Sequence, residues 1–493
     1  MSSSALPCDA AAQAGGGGGG ASGALAPAAV GSTYVCGAAL TLRLDGVCGL
    51  ARATTLVTAH GPVSTPVFMP VGTAGCVKGA TTLELSVPPL DCEIVLANTY
   101  HLGDRPGPAA LRAAGGLHAF QAWPRSLLTD SGGFQMVSLL ALARVTEEGV
   151  EFASPVDGRP SLLTPEQSMA LQNVIGADVM MALDDVVGAD TADGARFAEA
   201  TERTLRWLDR CIAAHAAPAA QSLFGIAQGG LDVAPGGLRA RCLQGLLARD
   251  ASLPGYAIGG LAGGEAKDAF WRVVAHGAAR LPPRKPRYLM GVGYPLDIVL
   301  CTALGVDMYD CVYPTRTGRF GTALVHAGLL KLRAAAYADD ARPIDPTCAC
   351  HVCAPGGYSR AHLHAMLRAR DASANVAQLV THHNVAYMMR LVREMRAAIV
   401  AGDYAHYVRA FVHTMFPAGA APGWVRDAAA AAGVDVAANT DREHVLALFR
   451  GTPKADSVPS ADKPGAGEAA GGADGGGEDE AAPPAAKRPP VVA

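Results

Sequence analysis

Two acids far apart in the chain stand where a strand-length apolar run gives way to a polar turn. Asp130 opens Asp130-Ser131-Gly132-Gly133-Phe134-Gln135 after Leu127-Leu128, and Asp310 follows Val306 to Tyr309 and precedes Cys311-Val312-Tyr313-Pro314-Thr315-Arg316. A pair of carboxylates suits glycosidic-bond chemistry. One attacks the anomeric carbon to form a covalent ester, the other moves the proton, and two displacements retain configuration. Gln228 and Asp184 offer complementary donors and acceptors for the edge of a flat heterocycle, and the glycines around them let backbone approach it closely. Beyond Asp310, Cys348-x-Cys350-x2-Cys353 followed by a histidine on a downstream helix has the spacing of a closed, four-coordinate zinc site. A carboxylate followed by arginines and a metal knot points to chemistry on an anionic polymer.

Eight short apolar runs end in such turns. They are Pro66 to Val71, Ile94 to Ala97, Leu127-Leu128, Val179 to Leu183, Leu223 to Ala227, Tyr256 to Ile258, Tyr288 to Met290 and Val306 to Tyr309. Amphipathic helical spacing fills much of the chain between them: Pro165 to Ile175, with Thr164 as N-cap, Ala195 to His215, Gly264 to Ala279 and Pro295 to Leu304. Strands alternating with helices imply a parallel sheet, and eight such units predict an α/β fold, a closed (β/α)8 TIM barrel with a zinc-binding subdomain near its C-terminal end. A doubly wound sheet is the runner-up, but no G-x-G-x-x-G follows the first strand. In the barrel, Asp130, Asp184, Asp185, Gln228, Gly260 and Asp310 converge on one mouth. Any one acid there has an alternative role as a helix cap, and Asp185 in particular reads as a cap or a support for its neighbour.

The chain has 493 residues, half of them apolar and 5% aromatic, with a formal charge of −4. The acidic surplus lies in the tails, so the middle is balanced and offers no global basic field for nucleic acid. Residues 1–36 (Ala/Gly-rich) and 451–493 (acidic, Pro/Gly/Ala-rich) are expected to be disordered, flanking a domain over 37–450 with its zinc site at about 345–385. No apolar run reaches membrane-spanning length, and the first basic residue is Arg43, so a cytoplasmic protein is expected. Single cysteines in apolar runs (Cys92, Cys211, Cys242, Cys301) read as inert core thiols.

Four motifs, Asp130 to Gln135, Gly259-Gly260-Leu261-Ala262-Gly263-Gly264-Glu265, Met290-Gly291-Val292-Gly293-Tyr294 and Met308 to Arg316, closely resemble tRNA-guanine transglycosylases, and within them the eukaryotic catalytic-subunit branch. The likeness runs from about Ala38 to Phe449. It implies a pentosyltransferase that exchanges guanine at wobble position 34 of GUN-anticodon tRNAs (Asp, Asn, His, Tyr) for queuine. It makes Asp310 the nucleophile and Asp130 the proton acceptor. Asp130, Ser131, Gly132, Gly133, Phe134, Asp184, Gln228, Gly260 and Met290 would hold the base. Gly291, Val292, Gly293, Tyr294, Pro295, Leu296 and Asp297, with Thr315, Arg316, Thr317, Gly318 and Arg319, would hold the tRNA. The target nucleotide must leave its stack to reach such a pocket.

The likeness also completes the metal set: the His-Asn-Val-Ala-Tyr match favours His383 over His382 beside Cys348, Cys350 and Cys353, for one structural Zn2+ per chain. The stretch between Cys353 and that histidine is longer than the family's, which leaves the ligand open by one residue. Bacterial members take in 7-aminomethyl-7-deazaguanine through a pocket narrowed by a cysteine and a valine. Val186 and Gly263 stand at the matching places, and Gly263 would admit the bulkier queuine. A heterodimer with a non-catalytic paralogous subunit is expected. A peripheral fraction on the mitochondrial outer membrane is left open. Two rivals stand beside this reading: a (β/α)8 retaining glycoside hydrolase, disfavoured by the scarcity of aromatics for sugar stacking, and a non-catalytic tRNA-docking subunit, disfavoured by the retained acids.

Overall fold

The structure, a computed structural model, describes residues 29–133, 144–153, 160–188, 191, 193–369, 373–417 and 419–438. Phe134 and most of the two expected tails lie outside these residues.

All eight apolar runs form strands of one closed parallel barrel. Strands β5 (Val67–Gly72), β6 (Ile94–Ala97) and β7 (Ser126–Thr129) are followed by β11 (Val179–Met181), β12 (Ser222–Ala227), β13 (Gly255–Ile258), β14 (Arg287–Leu289) and β15 (Met308–Cys311). β15 pairs with β5 to close the ring. Side chains alternate between faces along each strand. Met69, Leu96, Leu128, Met181, Phe224, Ile226, Ala257, Tyr288 and Met308 fill the barrel interior, while Phe68, Val95, Leu127, Met180, Leu223, Tyr256, Leu289 and Tyr309 pack in the outer core with the helices.

One end of the barrel is plugged by an antiparallel sheet of β1 (Thr33–Gly37), β2 (Leu40–Cys48), β3 (Ala51–Thr58) and β4 (Gly61–Ser64). Its Cys36, Leu40, Leu42, Leu56 and Val63 join the interior cluster. β1 starts ahead of the 36/37 boundary suggested by composition. The plug is fixed at the strands' N-terminal end, where Arg52 Nε and Nη2 donate to Asp307 Oδ1 and Oδ2 at 2.8 and 2.6 Å, with both side chains buried. The opposite, C-terminal end is therefore the open mouth.

The connection from β7 to β11 carries a small sheet of β8 (Arg144–Val145), β9 (Val150–Ala153) and β10 (Pro160–Leu163). The helix Pro165–Ile175 follows, opened by a capping box between Thr164 and Gln167. The helix expected from Gly264 begins only at Lys267, because Glu265 is used to accept the backbone N–H groups of Ala262 and Gly263 at 2.8 and 2.9 Å. After the barrel come the hairpin β16 (Thr322–Val325) and β17 (Gly328–Lys331), the cysteine segment, and the long helix Ser373–Val400. No helix among the described residues is long and apolar enough to cross a membrane.

Candidate active site

Six consecutive strands around the ring each deliver one residue to the mouth. Asp130 follows β7, Asp184 β11, Gln228 β12, Gly260 β13 and Met290 β14, and Asp310 lies within β15. Asp130, Gln228, Met290 and Asp310 each stand two residues beyond an inward-facing core residue (Leu128, Ile226, Tyr288 and Met308). The twofold alternation that fills the barrel thus aims them at its axis.

Asp130 is 9% exposed. Its Oδ1 accepts the backbone N–H groups of Thr99 and Gly132 at 3.0 and 3.2 Å, and its Oδ2 accepts Asn98 Nδ2 at 2.6 Å. Burial pushes its carboxyl up to about 7, and the charge of Asp310 adds to the rise against those three donors. Asp310 receives two donors on one oxygen: Tyr288 Oη at 2.6 Å and the Gly291 N–H at 2.7 Å both meet Oδ1. Among the described residues Oδ2 has no hydrogen bond. Burial raises the Asp310 carboxyl, and Tyr288 and Gly291 hold it down. Burial, with Asp310 beside it, lifts the Tyr288 phenol well above its ordinary value, so it remains a donor. The two acids therefore share one electrostatic environment across the mouth.

Beside them Gln228 Nε2 donates to Asp184 Oδ2 at 2.6 Å, and Ser131 Oγ lies 3.4 Å from Oδ1. Burial, then the neighbouring Asp185 charge, raises Asp184 to about 6 against Gln228 and Ser131. Gly260 has φ +66°, and a Cβ there would lie 2.3 Å from Gln228 Oε1, so a side chain would displace the glutamine. Gly132 (φ +83°) similarly fits under Tyr100, and Gly133 against Leu183. Asp185 does not enter the site. It is buried and paired to Arg196 and Arg203, with contacts of 2.5 to 2.8 Å, which anchors the turn that carries Asp184.

Sequence reasoning missed several supports. Asn98 and Thr99 directly follow the run Ile94 to Ala97, so their strand-end position was a usable signal. Tyr288 shares the inward parity of Met290. Arg239 had no such signal. Its buried guanidinium donates to the carbonyls of Ala227, Gly230 and Gly259, each at 2.7 Å, stitching together the loops that hold Gln228 and Gly260.

The segments matched to tRNA holding divide by exposure. Gly291, Arg316 and, in part, Tyr294, Thr317 and Arg319 reach the surface, whereas Val292, Gly293, Pro295, Leu296, Asp297, Thr315 and Gly318 are buried. Lys267 Nζ binds Asp297 at 2.6 Å and sets that segment in place. Neither Arg316 nor Arg319 has an acidic partner among the described residues. Their helix, Tyr313–Arg319, packs tightly on the long helix, and a Cβ on Gly318 would meet Thr381 backbone at 2.8 Å. Asn384 Nδ2 reaches the carbonyls of Pro314 and Thr322 at 3.0 and 2.9 Å, tying that helix to the β16 hairpin.

Cys348, Cys350, Cys353 and His383 form a cluster that could hold a metal ion, with donor atoms within 4.8 Å of one another. His383 Nε2 lies 2.9 Å from the Leu324 carbonyl and must donate to it, which leaves the Nδ1 lone pair facing Cys353 and Cys350 sulfurs at 3.3 and 3.7 Å. That tautomer is the one a metal requires. Of the two neighbours, His383 is the one in the cluster; His382 lies against His351, with ring centroids 4.0 Å apart and planes tilted by 53°. The isolated cysteines are core thiols, with Cys92, Cys211, Cys242 and Cys301 all buried.

The sequence profile described as queuine tRNA-ribosyltransferase matches residues 47–417. The queuine tRNA-ribosyltransferase catalytic subunit of Schizosaccharomyces pombe is 47% identical over 395 residues, covering 79% of this chain and 95% of the relative. The catalytic subunit of Caenorhabditis elegans is 46% identical over 369 residues, covering 75% and 89%. A queuine tRNA-ribosyltransferase of Thermus thermophilus is 47% identical over 392 residues, covering 79% and 98%. With the barrel, the strand-end acids and the thiol cluster in place, the chain belongs to the queuine tRNA-ribosyltransferase family.

Proposed function

We propose that this chain exchanges guanine at wobble position 34 of GUN-anticodon tRNAs for queuine by two displacements at C1′ of the ribose. The observation that carries the reading is the position of Asp130 after β7 and Asp310 within β15 at one mouth, where the charge of Asp310 helps raise Asp130 and Tyr288 and Gly291 both donate to one oxygen of Asp310. Asp310 Oδ2 attacks C1′, and the electron pair of the glycosidic bond leaves with guanine, which takes the proton of Asp130. Queuine then gives its ring N–H proton to Asp130, and the freed nitrogen pair attacks C1′ and releases the Asp310 carboxylate. Two inversions give retention. Asp184 accepts the ring and amino N–H groups of the base, while Gln228 and the Gly260 backbone face its carbonyl oxygen. Met290 and Phe134 would flank the ring.

Gly263, without a side chain on an exposed loop, leaves room for the queuine substituent. The Thermus relative is as similar as the eukaryotic ones, so this room, rather than overall identity, supports the choice of base. Arg316 and Arg319 would meet tRNA phosphate. The four donors of the cluster would hold a zinc ion as a closed, structural centre. Cys348, Cys350, Cys353 and His383 then brace the helix bearing the arginines. Three eukaryotic relatives are named catalytic subunits, which supports a heterodimer with a non-catalytic partner. A cytoplasmic location belongs to the same reading, and cell fractionation tests it.

The test is tRNA carrying labelled guanine at position 34. Queuine should displace the label in a reaction that needs no ATP, and Asp310→Ala should abolish displacement. Label released without uptake of a base would indicate a hydrolase. No release in the presence of the partner subunit would indicate a docking subunit.

A further inference from the structure

At the plugged end of the barrel, away from the mouth, a second constellation gathers that the exchange reaction does not use. His60 sits at the tip of the β3–β4 hairpin, His118 on the short helix Leu117–Phe120, and Asp178 at the entry to β11. The two imidazoles stack with centroids 3.6 Å apart and planes 16° from parallel. Both turn a nitrogen to the same carboxylate: His60 Nδ1 is 2.9 Å from Asp178 Oδ1 and His118 Nε2 is 3.4 Å from Oδ2. The three donor atoms lie within 4.8 Å of one another.

We propose that His60, His118 and Asp178 form a second divalent-metal site, for Zn2+ or a similar borderline cation, distinct from the thiol cluster. Metal–nitrogen and metal–oxygen bonds of about 2.0–2.2 Å in tetrahedral geometry separate ligand atoms by roughly 3.3–3.6 Å. The two nitrogens face different oxygens of Asp178, at 2.9 and 3.4 Å, and the rings are stacked nearly parallel, so the exposed His60 ring must turn out of the stack for one ion to meet all three donors. Two imidazoles and one carboxylate are a borderline-hard set that suits Zn2+, Ni2+ or Co2+ over Ca2+ or Mg2+.

The carboxylate is already oriented. Asp178 is 2% exposed, and it accepts the backbone N–H groups of Leu127 at 2.9 Å and His60 at 3.2 Å. His118 Nε2 also lies 3.0 Å from the Arg125 carbonyl, a bond that metal loading replaces as the ring moves its hydrogen to Nδ1. His60 is exposed, so the fourth position opens to water and the ion can exchange. This makes the site weaker than a closed Cys3His centre. Its ion would clamp the hairpin of the plug to the barrel's edge and leave catalysis untouched.

The test is equilibrium dialysis of the full chain against Zn2+ and, separately, Ni2+, with bound metal counted by mass spectrometry in wild type, His60→Ala, His60→Gln and His118→Ala. Wild type should hold one equivalent more than every variant. Added metal should raise the thermal midpoint of wild type more than that of any variant, and guanine exchange should be equal in all four. His60 is exposed at a hairpin tip, so its variants keep the fold, which circular dichroism checks. Equal metal content in wild type and the His60 variants would overturn the proposal.

Discussion

Asp130 and Asp310 show how burial and hydrogen bonding assign different tasks to the same side chain. With its carboxyl pushed up to about 7, Asp130 exchanges its proton near physiological pH, the condition for a group that must act as acid and then as base. The two half-reactions should therefore respond to pH in opposite senses. In rapid-quench assays, guanine release needs protonated Asp130 and should fall as pH rises through about 7, while queuine capture needs the carboxylate and should rise over the same interval. In the proposed exchange Asp310 attacks as the carboxylate, and the Tyr288 hydroxyl holds its carboxyl down toward that form. Tyr288→Phe removes a hydrogen bond to a charged group, worth about 1.5–3 kcal/mol, so the acid limb of the exchange rate should move up by about one pH unit or more. An unmoved limb would show that the tyrosine does not tune the nucleophile. The acids were legible in the sequence because each ends an apolar run. Tyr288 showed only its inward parity and Arg239 showed nothing, since their roles depend on which oxygen each meets after folding.

Strands and helices were legible wherever burial imposed a period or an uninterrupted run. The eight barrel strands are buried on both faces, so they stand out as apolar runs, and Thr164-Pro165 marked its helix through capping chemistry. The plug was not recognised, although β2 alternates Leu40, Leu42 and Leu44 with Thr41, Arg43 and Asp45, the signal of a half-buried antiparallel strand. The late start of the helix at Lys267 was hidden because only tertiary structure shows Glu265 turned back onto its loop. At this scale the cluster of Cys348, Cys350, Cys353 and His383 and the helix Tyr313–Arg319 are joined through His383 and Asn384, adjacent on one helix. Stripping the zinc ion proposed for this cluster with a strong chelator should expose three thiols to a thiol reagent and lower the thermal midpoint. It should raise KM for tRNA more than KM for the base. An unchanged tRNA KM in the stripped protein would separate the cluster from RNA binding.

For the whole molecule, the barrel divides its labour between two ends, with chemistry at the C-terminal mouth and closure at the plug. The buried Arg52–Asp307 pair is an ionic link across that closure. Arg52→Met leaves Asp307 buried without its cation, which costs about 3–5 kcal/mol in comparable cases. Urea unfolding should show a loss of that order, while kcat for the folded fraction stays close to wild type. A large fall in kcat with normal stability would mean that the plug reaches the mouth. The proposed exchange passes through one covalent bond, and the decisive experiment is to trap the protein–tRNA adduct, digest both polymers and identify the residue bearing the ribose by mass spectrometry. The ribose should be found on Asp310, with no adduct in Asp310→Asn. An adduct on any other side chain, or one that persists in Asp310→Asn, would contradict the account.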